Sequence, residues 1–255
     1  MKKIALVLCA AAGLVVTGCE SVKEITLHED GSGKIVTTND MSGIIGLAKM
    51  QGGGEEMKDL EDQVIDTTFS LGHIADSLPD ATDEEKALLR KGLFGVNLNL
   101  KEDKCIVKIE LPFSATNQLA KLGDLSEKLM QEGIKKIASE ADKKGGGGMP
   151  LGGDDMSMKS LDSYYKMEYT ANSIRRTLDA EKYATVAGDE AMDALKQVAQ
   201  LGMGNSTLVI NLPRPAKKAE GAGLSLSEDK KKVTINNSAE DFFDDGKKLE
   251  FVIEF

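Results

Sequence analysis

The residue types that most often carry chemistry are sparse here: three cysteines (Cys9, Cys19 and Cys105) and two histidines, His28 and His73. A zinc site needs several such ligands gathered at short spacings. The two histidines stand far apart among polar neighbours, which suits a solvent-facing role for each. A reactive thiol needs a histidine or a positive setting nearby. Cys105 has neither in sequence. It shares the parity of Val107 and Ile109, as a small core residue would. Asp154-Asp155 and Asp244-Asp245 lack the ladder of oxygen ligands that defines a calcium loop. Arg175-Arg176 on an acidic chain could hold an anion, but reads first as a surface pair. Distant carboxylates can meet in any fold to hydrolyse a glycoside, but among 42 acids this singles out none. No catalytic, metal-ligating or cofactor-binding residue is assigned.

Cys19 is the exception, because its setting is chemically specific. Lys2 and Lys3 precede an apolar run from Ile4 to Val16, and the run closes on Val16-Thr17-Gly18-Cys19. A basic start, a short apolar core and small residues at a cut form the layout of a secretory signal. The run is too short to stay as a transmembrane helix, which needs about 20 apolar residues. Thr17 and Gly18 fit a narrow peptidase cleft, and the Cys19 thiol can carry a thioether lipid.

Those four residues resemble the lipobox of bacterial lipoproteins. The resemblance implies cleavage between Gly18 and Cys19, acylation of Cys19, and a water-soluble body tethered to a lipid bilayer. One acyl chain binds a membrane only reversibly; the family's two or three would hold it permanently. Glu20 stands where an Asp would signal inner-membrane retention, so the family's sorting rule implies the cell envelope and, within it, the outer membrane.

Cleavage there removes 18 of the 255 residues as a signal peptide and leaves 237. The lysines lost take the basic count from 32 to 30 against 42 acids, a net charge of −12. So acidic a body repels nucleic acid and anionic headgroups. Cys105 would be its one remaining thiol, so no internal disulfide is expected and packing must supply the stability. Tryptophan is absent and aromatics make up 4 % of the chain, which argues against a stacking platform for sugars or single strands.

The elements that would position any site follow from periodicity. Residues 22–29 and 34–41 read as strands joined by the turn Asp30-Gly31-Ser32-Gly33. Gly43 to Met50 and the stretch from Glu55 to Val64 read as helical. Thr67 to Ile74 reads as a strand or extended link. Thr82-Asp83-Glu84-Glu85 is a capping box that opens a short helix. Phe94 to Leu100 and Cys105 to Leu111 alternate strictly around Glu102-Asp103-Lys104, a hairpin with one covered face. Ala115 to Asp142 is the longest helical stretch, with Leu119, Leu122, Leu125 and Leu129 on one stripe. Residues 145–155 form a glycine-rich loop. Tyr164 to Ile174 reads as one strand. Asp179 caps a short helix, and Asp189 to Leu201 is helical with Ala191, Leu195 and Val198 inward. Strands at 207–212, 224–226 and 231–236 follow, then a helical turn opened by Ser238. The chain closes on a strand with Leu249, Phe251, Ile253 and Phe255 inward. A loose module, hairpin then helix, recurs at 22–50, 93–141 and 206–255. The fold class is α+β: an antiparallel sheet built from hairpins with helices on one face, in a single body over 19–255.

The hairpin at Glu29-Asp30-Gly31-Ser32-Gly33 and the close from Asn211-Leu212-Pro213-Arg214-Pro215 through Leu226-Ser227-Glu228-Asp229-Lys230 to Leu249-Glu250-Phe251 are similar to lipoproteins of Bacteroidetes-type bacteria. The opening hairpin and the strand–turn–strand close also resemble the LppM-like domain, an α/β lipid-interacting module. Neither resemblance supplies a functional residue. The expected function is a non-catalytic envelope interaction or structural protein, with an envelope protein as partner. The alternative is a carrier holding an apolar or lipid ligand between the sheet and the Leu119-to-Leu129 helix. A hydrolase comes third.

Overall fold

The computed structural model describes residues 20–43, 64–76, 81–126, 128–129, 161–200 and 204–255. The first strand, β1 (Glu20–Leu27), turns back antiparallel into β2 (Gly33–Asp40), with Ile25 opposite Ile35. The turn forms as its sequence demands. Gly31 takes a left-handed φ of 79°. The Asp30 carboxylate accepts hydrogen bonds from the Ser32 amide at 3.0 Å and the Ser32 hydroxyl at 2.7 Å.

Strand β3 (Val64–Ser70) is followed by α1 (Gly72–Ala75) and α2 (Asp83–Leu89). The Thr67-to-Ile74 stretch is therefore half strand and half helix, divided at Leu71. The capping box is present in both directions: Thr82 Oγ1 accepts from the Glu85 amide, and Glu85 accepts from the Thr82 amide at 2.7 Å. Strands β4 (Leu93–Asn99) and β5 (Lys104–Phe113) form the expected hairpin, with Asp103 in the left-handed region between them. Helix α3 begins at residue 119. The expected helix from Glu55 to Val64 is contradicted at its end, since Val64 opens β3; the rest of the expected helices over 44–63, the end of the long helical stretch and the glycine-rich loop lie outside the described residues.

Tyr164 to Ile174 is a hairpin, not one strand. Strand β6 (Tyr165–Tyr169) turns into β7 (Ser173–Leu178). The Thr170 hydroxyl accepts from the amides of Asn172 and Ser173 and so makes the turn with a side chain, without glycine or proline. Helices α4 (Ala180–Tyr183, capped by Asp179) and α5 (Glu190–Gln200) come next. Met192 and Ala199 are buried on α5, two inward positions absent from the expected stripe. Strands β8 (Ser206–Asn211), β9 (Lys218–Gly221), β10 (Leu224–Leu226) and β11 (Lys232–Asn237) follow. Then come α6 (Ala239–Asp244) and β12 (Phe251–Glu254).

These strands build two sheets. The larger runs β10-β11-β8-β1-β2-β5-β4-β3 and the smaller β6-β7-β12-β9. All pairs are antiparallel except β1 with β8, which run parallel with Ile25 beside Ile210. Mixed helix and strand content with antiparallel-dominated sheets makes the fold α+β.

One face of the large sheet is dry over its central strands. Ile25, Ile35, Ile109, Leu111, Ile210 and Ile235 share one core with Leu119, Leu122, Leu125 and Leu129 of α3. Ile174, Phe251 and Ile253 of the small sheet join the same core. Each such leucine contributes roughly 1.5–3 kcal/mol on burial. A smaller core gathers Tyr164, Tyr165, Met192, Phe242 and Leu249.

Candidate functional site

Alternation along β7 puts Ile174 and Arg176 on the inner face and Arg175 outside. Arg176 is 3 % exposed, so the expected surface pair holds for Arg175 alone. A buried guanidinium must be compensated. Its Nη2 lies 3.4 Å from Asp162 Oδ1, and its Nη1 donates to Asn237 Oδ1 at 3.4 Å. Its Cζ sits over the Tyr165 ring, 4.0 Å from the centroid. Its Nε has no hydrogen-bond partner among the described residues.

Lys23, inward on β1, completes the cluster. Its Nζ donates to Asp162 Oδ2 at 2.6 Å. Asp162 thus bridges a cation of the large sheet and a cation of the small one. The ammonium of Lys23, followed by the guanidinium of Arg176, holds the Asp162 carboxyl well below its ordinary range against the cost of burial. Burial works against the Lys23 charge, but Asp162, helped by Tyr169, outweighs it and raises that pKa. Burial pushes the Tyr169 phenol up to about 12, and burial also raises Tyr165. Tyr165 donates its hydroxyl to the Gly246 carbonyl at 2.6 Å. The side chains of Lys23 and Asp162 keep 27 % and 44 % of their surface, so water screens the pair and its worth lies nearer that of a surface ion pair. The arrangement has no nucleophile beside a base. It clamps one sheet to the other.

The remaining candidates fall apart spatially. His28 Nδ1 lies 3.1 Å from Ser32 Oγ, which donates to Asp30. A hydrolytic triad needs the acid on the histidine and the histidine on the serine. Here the serine sits between the two, in an exposed turn. A cleft of about 230 Å³ beside this turn is lined by Leu27, His28, Asp30, Thr116, Arg214 and Phe255. Ligand sites usually enclose roughly 300–1,000 Å³. Arg214 there donates to Asn172 Oδ1 at 2.8 Å.

Cys105 is half-buried on the inner parity, and its amide donates to Ser42 Oγ at 3.0 Å. Asp244 pairs with Lys248, and Asp245 caps the amide of Lys247. Both acids serve a turn. His73 falls in α1. Among the described residues no three His, Cys, Asp or Glu side chains gather as a metal site, and no helix is long and apolar enough to cross a membrane. Gly18, Cys19 and Asp154-Asp155 lie outside the described residues. The space between sheet and α3 is filled by the leucines of α3 itself.

Sequence reasoning missed Lys23, Asp162 and Tyr169. The one signal for the cluster was the parity of Ile174 and Arg176 within a strand whose turn was not seen. No family model, curated protein or solved structure matches the chain.

Proposed function

We propose that this protein is a lipid-anchored lipoprotein of the bacterial cell envelope whose body works by surface interaction and not by catalysis. The observation that carries this reading is Val16-Thr17-Gly18-Cys19 closing the apolar run behind Lys2 and Lys3, directly before the junction at Glu20. Strand β1 begins there, one residue after Cys19. An acyl group on Cys19 would therefore connect almost directly to an inner strand of the eight-stranded sheet. The anchor would hold the body close to the bilayer, with the sheet as its base. The leucine-filled interior and the small open cleft support an interaction role over a carrier role.

The test is metabolic labelling of the full chain with an alkyne fatty acid, followed by membrane fractionation. The parent should take up label and sediment with outer membrane. Cys19→Ala should take up none and stay soluble. Equal membrane retention of both would sink the proposal. Native mass spectrometry of residues 20–255 separates the two non-catalytic roles. A bare mass supports interaction, and a stoichiometric apolar molecule would replace it with carriage.

A further inference from the structure

Among the described residues, strand β3 is the outermost strand of the large sheet and pairs on one side only, with β4. All seven of its residues are exposed. Val64, Ile65 and Phe69 are among the exposed large apolar side chains of the described residues, and so is Leu93 next door on β4. Natural edge strands are usually blunted by lysine, proline, a bulge or brevity. The opposite edge, β10, is three residues long. Val64-Ile65-Asp66-Thr67-Thr68-Phe69-Ser70 carries none of these devices. Across β3 and β4 together the single charged side chain is Asp66, in a chain that is 29 % charged. The edge is thus where an acidic body repels a second copy least.

We propose that β3 pairs antiparallel with β3 of a second copy, about a two-fold axis through Thr67. The sequence matches itself in that register. Ile65 falls opposite Phe69 of the partner subunit, and Asp66 falls opposite Thr68 of the partner subunit. Ile65, Thr67 and Phe69 all share the face of Phe94, whose ring lies 5.1 Å from that of Phe69. Apolar and aromatic cross-strand pairs of this kind are the stabilising unit of a sheet. An axis through Asp66 would set two carboxylates face to face, and one through Thr68 would break the Ile65–Phe69 pairing. A seven-residue pairing is about 24 Å long. Its area belongs to the small, reversible class of interface. The dimer is therefore a reversible one whose population rises with concentration.

The test needs no lipid anchor, so its failure and that of the lipoprotein reading are distinguishable. Residues 20–255 are the body that the lipobox reading leaves behind Cys19, and both cores lie inside that range. Sedimentation velocity on it should show a monomer–dimer equilibrium that shifts with concentration. Ile65→Lys should abolish the dimer while circular dichroism and melting stay near the parent's, because Ile65 is 39 % exposed. Thr67→Cys should cross-link to itself through a short bis-maleimide, whereas Cys105 in the parent should not. Should Ile65→Lys unfold the body, Val64→Lys is read instead and should also weaken the dimer. A monomer at every concentration, or a dimer indifferent to both lysines, overturns the proposal. Cross-linking of Thr67→Cys in cells to a different chain also overturns it and assigns the edge to that chain.

Discussion

Arg176 places its Cζ over the ring of Tyr165, 4.0 Å from its centre, in the seam between the two sheets. Tyr165 belongs to the smaller core and donates to the Gly246 carbonyl. The aromatic face and Asp162 together hold a cation that is almost fully buried.

Asp162→Asn should therefore weaken the body. It leaves Lys23 and Arg176 facing each other without the intervening carboxylate. Breaking a fully buried pair costs roughly 3–5 kcal/mol. The half-exposed Asp162 lowers that to about 1–2 kcal/mol. Urea unfolding of the two proteins at pH 7 measures the difference, and equal midpoints would count against the clamp.

The same cluster sets a pH window. The folded pKa of Asp162 lies below its ordinary 3.8, so its contribution is complete above 3.8 and is lost as pH falls through the folded value. The folded pKa of Lys23 lies above 10.5, so its contribution is complete below 10.5 and is lost as pH rises through the folded value. Tyr169 acts in the same direction: between its ordinary 10.0 and about 12 the unfolded chain ionises first, and stability falls. Melting temperature against pH should be flat between these limits and drop beyond both. Asp162→Asn should shallow the acidic limb, and an unchanged acidic limb in that variant would assign it to other carboxylates.

Gly33→Ala should be the most damaging single methyl in the first hairpin. A Cβ at Gly33 would run into the Thr26 carbonyl oxygen and stand 2.6 Å from Phe113 Cζ. The first obstacle is backbone in a paired strand and cannot swing away. Overpacking of this kind costs about 1–3 kcal/mol. A melting point within a degree of the parent's would show that β1 and β2 can splay.

Thr82→Ala should cost about 1 kcal/mol, because it removes the hydroxyl that accepts from the Glu85 amide. Glu85→Gln keeps the geometry and should cost less. Hydrogen exchange at the amides of α2 reads the fraying directly; equal protection in Thr82→Ala would mean that Leu88 and Leu89 alone hold the helix.

Elements governed by local chemistry were legible in the sequence. Asp30-Gly31-Ser32-Gly33, the capping box at Thr82 and the alternation of β4 and β5 each state their structure within a few residues. The Thr170 turn was not legible, because a side chain replaced the usual glycine, and the strand that buries Arg176 was lost with it. The second sheet was hidden for a different reason. β12 lies between β7 and β9, drawn from distant parts of the chain, and no local pattern encodes that order. Asp162, Lys23 and Arg176 meet through this long-range arrangement. Their separate neighbourhoods carry no sign of it.

The parallel pair of β1 and β8 has a kinetic cost. β2 follows β1 after a five-residue turn, but β8 comes only at Ser206, about three quarters of the body later. Until then the Ile25 strand is itself an edge, with one row of backbone groups unsatisfied. Non-local pairings of this kind close slowly, and unfinished edges invite aggregation. Completing the large sheet requires β8, with β11 beside it, to add to a strand synthesised long before it. A chain shortened before Ser206 would keep its first hairpin yet expose that edge, and it should aggregate where the whole chain does not.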